Sequence, residues 1–195
     1  MRSTDPIGTR ERRERRKRPG YDSESILAVA VEVFNKHGYD GTSMGLLAEN
    51  LGISKAGIYY HVPSKEDLLQ RACDRALAAL EASLDEVERS EATARRRLED
   101  AVRRSVVVLH EQLPYVTLLL RVRGNTEVER AALERRRAFD RRFAALVDAA
   151  RAEGALRADI DARTTTRFIY GTVNSLWSGT SRTARSPCPT WPTPS

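Results

Sequence analysis

Residues 42–65, TSMGLLAENLGISKAGIYYHVPSK, constrain this chain more than any other stretch. They carry two short apolar periods separated by one glycine and closed by a proline. The spacing predicts a helix over 44–50 with Thr42 or Ser43 as its N-cap, because a short hydroxyl side chain accepts from free backbone N–H groups. Leu47, Ala48 and Leu51 form its inner face. Gly52 supplies the permissive backbone of the turn and Ile53 fills the angle. Ser54 then caps a second helix over 55–61, whose inner contact is Ile58 and whose outer side carries Lys55, Ala56, Gly57, Tyr59 and Tyr60. A helix of this length cannot stand alone in water and must be held by neighbours. Its small residues permit close approach of a backbone, and two tyrosines, His61 and Lys55 can reach base edges or phosphates. The stretch is expected to be a DNA-reading helix-turn-helix.

The remaining patterns are helical. Residues 22–37 repeat Ile26, Ala30, Val33, Phe34 and His37 at helical spacing, and Gly38 stands at the C-terminal cap position. With the pair above they make a three-helix domain over 21–65. Ser64 to Asp67 resembles a capping box opening a helix to about Glu88. Further helices are expected over 91–112, 115–125, 127–153 and 161–177, with Pro114 interrupting between the first two. The expected fold is all-α: a three-helix head followed by a helical second domain over 66–177. In that domain Leu119, Phe139 and Phe143 belong to apolar faces, and Arg121 and Arg123 end the most apolar run. Arg163, Arg167, Tyr170 and Asn174 share a mixed face on the last helix, which suits a polar ligand or a dimer partner better than a dry core.

Charge is uneven. The chain has 195 residues, with 33 Lys+Arg against 27 Asp+Glu, a net +6. Residues 1–20 hold eight basic and three acidic residues, so most of the surplus is a local arm, expected to be disordered and suited to touching phosphates. Cys73 and Cys188 are far apart, and His37, His61 and His110 show no ligand spacing, so neither a metal site nor a disulfide framework follows. No nucleophile with a matched base and no glycine-rich phosphate loop is present, which excludes the common enzyme classes and implies no cofactor. There is no membrane-spanning or signal-peptide pattern, and a cytoplasmic location is expected.

Residues 52–69, GISKAGIYYHVPSKEDLL, resemble the signature of the TetR/AcrR family of one-component transcriptional regulators. The chain departs at Val62, where Phe is usual, and at Ala56, where Gly is commonest. The resemblance implies a homodimeric repressor of operator DNA, with DNA contacts from Thr42, Ser54, Lys55, Ala56, Gly57, Tyr59, Tyr60, His61 and Lys65. It also implies that the helix after Lys65 transmits ligand state, and that the last two helices of each subunit form a four-helix dimer interface. The runs YDGTSM and QLPYVTLLLRVRGNT are similar to actinobacterial regulators of aromatic-acid or acyl-CoA breakdown, the phenylacetate group in particular. That likeness implies an acyl-CoA effector, with Arg121, Arg123, Arg163 and Arg167 for its phosphates and Leu119, Phe139, Phe143 or Tyr170 for its acyl part, and Asn174 beside them.

Residues 178–195 have no helical period. Codons allowed for residues 177–184, read one base earlier, can encode Val-Glu-Trp-Tyr-x-Pro-Asp-Gly, similar to the family's Trp-Tyr-x-Pro-x-Gly turn. The expectation is a frameshift near Leu176, a lost C-terminal helix and a weakened dimer. A non-specific nucleic-acid binder using the basic arm, and a truncated regulator without function, are the rival readings.

Overall fold

Caps and turns place the helices where the sequence needs them. In a computed structural model describing residues 22–157 and 159–178, every regular element is an α-helix. The order is α1 (Ser23–His37), α2 (Met44–Leu51), α3 (Lys55–His61), α4 (Lys65–Glu88), α5 (Ala94–Glu111), α6 (Leu113–Arg121), α7 (Glu127–Ala152) and α8 (Ala162–Ser178). The basic arm and the sequence after Ser178 lie outside the described residues, so the expectations placed on them are not addressed by the fold.

Asp22 caps α1 by accepting from Ser25 N at 2.8 Å. Ser43, rather than Thr42, caps α2 through Leu46 N, and Ser54 caps α3 through Gly57 N at 3.0 Å. Gly52 adopts the left-handed conformation, φ 63°, that lets α2 end and the chain reverse into α3. Ile26, Phe34, Leu47, Ile58 and Leu68 are buried to 1% exposure or less and close the head from four helices. Val62 is equally buried, so the smaller side chain at the family's usual Phe position remains a core residue.

At about 1.5 Å per residue, the 24 residues of α4 span roughly 36 Å. That length carries it out of the head, where it meets α1, into the second domain, where it packs on α5, α6 and α7. Two arginines of α7 strap it there. Arg135 makes a two-pronged contact with Glu81, at 3.1 and 2.8 Å, and reaches Asp74 at 2.6 Å. Arg142 grips Glu88 at 3.0 and 2.7 Å and Asp85 at 2.6 Å. Such forked pairs fix geometry better than single contacts, although partial exposure keeps each one's energy modest. Glu153, just past α7, accepts from Ala94 N and Arg95 N and so caps the start of α5 from another helix.

Two helices depart from the sequence expectation by three residues or more at one end. Helix α5 starts at Ala94 rather than 91 because Thr93 supplies the cap, accepting from Arg96 N. Helix α6 runs from Leu113 to Arg121 rather than 115 to 125. Pro114 opens it, since a first-turn residue needs no N–H donor. The run ends early because Val122 is extended and Gly124 takes φ 91°.

Candidate nucleic-acid interface and effector cavity

Helix α3 is anchored by one residue and otherwise turned to solvent. Ile58 is fully buried, whereas Tyr60 is 86% exposed and Tyr59 47%. The Tyr60 and His61 rings meet edge to face at 5.0 Å, which holds two flat polar-edged groups side by side on the outer surface. Lys55 and Ala56 are exposed beside them. Gly57 has a local reason to lack a side chain as well: a Cβ there would come within 3.3 Å of Ser54 Oγ, the cap of the same helix.

Two of the residues expected to contact phosphate are engaged within the chain. Thr42 is only 2% exposed and its hydroxyl donates to Gly38 O at 2.7 Å, so it ties the α1–α2 turn together instead of facing outward. Lys65 donates to Tyr39 O and Thr42 O, both at 3.0 Å, and its ammonium lies 4.2 Å from the centre of the Tyr39 ring. It therefore pins the same turn to the start of α4. Two of the three ammonium donors of Lys65 go to these carbonyls, and the Thr42 proton goes to Gly38 O.

In the second domain α4 to α8 surround a cavity of about 740 Å³ that opens to solvent. Its wall is apolar where Leu80, Leu109, Val116, Leu119 and Phe139 contribute. Arg136, Arg137 and Arg141 of α7 and Arg163 and Arg167 of α8 also line it, together with Asp140, Asp148 and Asn174. Local loss of water pushes the Asp140 carboxyl above its ordinary value, while Arg136, Arg141 and Arg167 pull the other way. The residue as a whole stays exposed, so the shift reflects crowding of the carboxyl itself.

Tyr170 stands in the wall, edge-on to Phe143 at 4.8 Å and to Phe139 at 5.7 Å. Its hydroxyl lies 3.1 Å from Ser105 Oγ, and burial raises its pKa. Thr166, one turn earlier on α8, is 5% exposed and its oxygen has no hydrogen-bond partner.

Of the expected effector residues, Leu119, Phe139, Arg163, Arg167, Tyr170 and Asn174 line the cavity. Phe143 does not: it is fully buried and supports Tyr170 from behind. Arg121 and Arg123 are not among the residues lining this cavity. Arg121 donates to Asn35 O at the end of α1, and both arginines line a separate cleft of about 610 Å³ between the head and the α6–α7 connection. Sequence reasoning missed Arg136, Arg137 and Arg141, yet Arg136 precedes Phe139 by three residues and Phe143 by seven, a spacing that puts it on the Phe side of α7. Among the described residues no metal-binding cluster is present, and no helix is long and apolar enough to cross a membrane.

A solvent-facing helix-turn-helix joined by one long helix to a second helical domain is the architecture of a helix-turn-helix DNA-binding regulator. Residues 26–72 match the model for bacterial regulatory proteins of the tetR family, and residues 91–178 match that for the tetracyclin repressor-like C-terminal domain. A crystal structure of a TetR-family regulator from Streptomyces coelicolor A3 is 58% identical with a TM-score of 0.75, covering 77% of this chain and 75% of that one. The chain belongs to the TetR family of DNA-binding transcriptional regulators. An HTH-type transcriptional repressor of Mycobacterium tuberculosis is 37% identical over 67 residues, 34% of this chain. The chain spans about a quarter, 26%, of the length of the curated relatives it matches there. AibR, crystallised with isovaleryl coenzyme A and operator DNA, shares the fold at a TM-score of 0.68 and 22% identity, covering 80% of this chain and 85% of that one.

Proposed function

We propose that this chain is a ligand-responsive repressor in which residues 21–65 read an operator and residues 66–177 bind an effector and a second copy of the chain. The observation that carries the first half is α3: two exposed tyrosines, a histidine and a lysine on a helix held by one buried isoleucine. Lys55, Ala56, Gly57, Tyr59, Tyr60 and His61 are the proposed major-groove surface, and Ser54 lies at its edge. In a homodimer two such heads engage two half-sites, and linkage multiplies their affinity.

The effector proposed is an acyl-CoA or a related aromatic-acid thioester. A half-apolar cavity with five arginines in its lining suits a ligand that has a hydrocarbon part and several phosphate charges. That AibR, a protein of the same fold, accommodates isovaleryl coenzyme A with operator DNA supports this choice. The route to the head is α6. Val116, Leu119 and Leu120 line the cavity. The same helix is bonded to α1 at both ends: Asn35 Nδ2 donates to Pro114 O at 2.8 Å, and Arg121 donates to Asn35 O. An effector that displaces α6 displaces α1, and with it the spacing of the paired heads. Release then follows from a difference in effector affinity between two states.

The test is fluorescence anisotropy on duplex DNA flanking the chain's own gene, against scrambled duplex, across a salt series. Preference for the flanking DNA that persists at physiological salt is expected. Equal, steeply salt-dependent binding to both would leave a non-specific nucleic-acid binder.

A further inference from the structure

Two hydroxyls in the cavity wall have unused hydrogen-bonding capacity of complementary kinds. Ser105 donates its only side-chain proton to Ala101 O at 2.8 Å. In its 3.1 Å contact with Tyr170 it must therefore accept, and the Tyr170 proton is consumed there. What the Tyr170 oxygen retains is acceptor capacity. Thr166, one helical turn away, uses neither its proton nor its lone pairs. It is 95% buried, in a cavity lining that also includes Leu109, Val116 and Phe139. Buried polar groups ordinarily have partners, so an orphan beside a cavity points to a group the ligand brings.

Alternative ligand groups are separated by the direction of the protons. A hydrocarbon satisfies neither oxygen. A carbonyl can accept from Thr166 but presents lone pairs to a Tyr170 oxygen that has no proton left to give. A hydroxyl does both, donating to Tyr170 and accepting from Thr166 after one staggered step of the threonine χ1, a residue type that uses two rotamers in helices. We propose that the effector carries a hydroxyl on its apolar portion, seated between Thr166 and Tyr170, and that the effector class is a hydroxyacyl thioester of coenzyme A. This deepens the acyl-CoA reading above and rests on it. The cavity-lining arginines are claimed by the phosphates, which leaves the interior hydroxyl pair for the acyl chain.

The test is isothermal titration of the full chain with octanoyl-CoA, 3-hydroxyoctanoyl-CoA and 8-hydroxyoctanoyl-CoA. One of the hydroxylated probes should bind about tenfold tighter than octanoyl-CoA, the value of one well-placed hydrogen bond. Thr166→Val keeps the shape of the side chain, and Tyr170→Phe keeps the ring between Phe139 and Phe143, so both variants should fold, and in each the hydroxylated probes are compared with octanoyl-CoA measured on that same variant. In each the hydroxyl advantage should collapse. Equal binding of all three probes by the parent, or an advantage that survives in both variants, overturns the hydroxyl assignment and leaves the acyl-CoA reading standing. Binding of none of the three overturns both.

Discussion

Glu129 holds the connection between α6 and α7, and its removal gives the sharpest stability prediction. The side chain is 5% exposed, accepts from Asn125 N at 2.6 Å and Thr126 N at 3.1 Å, and lies 3.4 Å from Arg123 N. Thr126 returns the favour through Glu129 N, completing a capping box. Glu129→Ala loses the cap interaction, about 1 kcal/mol, and a charge-assisted bond to Asn125, about 2 kcal/mol; the longer Arg123 contact adds little. About 3 kcal/mol in all, at 2–4 °C per kcal/mol for a chain of this size, predicts a fall in melting temperature of roughly 6–12 °C. Differential scanning calorimetry at fixed protein concentration checks it, since a dimer's melting point depends on concentration. Glu129→Gln keeps one acceptor oxygen and should lose about half as much. A fall under about 2 °C for Glu129→Ala would mean that backbone and water replace the carboxylate freely, and the reasoning would be refuted.

Other consequences are equally direct. Tyr60→Ala should weaken specific DNA binding by about 1–3 kcal/mol with an unchanged melting temperature, whereas Lys65→Ala should lower the melting temperature as well, because its ammonium ties the turn at Tyr39 and Thr42; anisotropy and calorimetry on the pair separate the two roles. Burial pushes the Cys73 thiol up to about 12, so in a Cys188→Ser background the native protein should resist Ellman's reagent at pH 8 and react only on unfolding; prompt native labelling would contradict the packing. The hydrogen bond from Ser25 holds the Asp22 carboxyl below its ordinary 3.8, so its contribution is complete above that pH and lost as pH falls through the lower folded value. Asp22→Asn keeps a cap without the titration and should flatten the acid limb of a melting-temperature profile below about pH 4; an unchanged limb would assign the loss elsewhere.

The head was legible because its signals are local. Ser54, Gly52 and Ile58 each act within a few residues of themselves, and cap, left-handed turn and anchor all stand where the pattern placed them. Donors committed to distant carbonyls were not legible. Nothing within sequence reach of Lys65 announces that the Tyr39 and Thr42 carbonyls will take its protons, and the buried hydroxyl of Thr42 depends on how α1 ends. The cavity shows the same division. The face shared by Arg163, Arg167, Tyr170 and Asn174 followed from helical spacing, but the destination of Arg121 is set by its bond to Asn35 O, 86 positions away in the chain. Which of two clefts that arginine enters is a tertiary fact.

The measurement that bears most directly on the account is reciprocal linkage between DNA and effector. Titrating octanoyl-CoA and its two hydroxylated forms into the complex with flanking DNA, and separately measuring thioester affinity with and without that DNA, should give one factor in both directions, roughly 5- to 150-fold. A thioester that binds the cavity with the same affinity whether or not DNA is present, and leaves the DNA complex intact, would contradict control of the heads from this cavity.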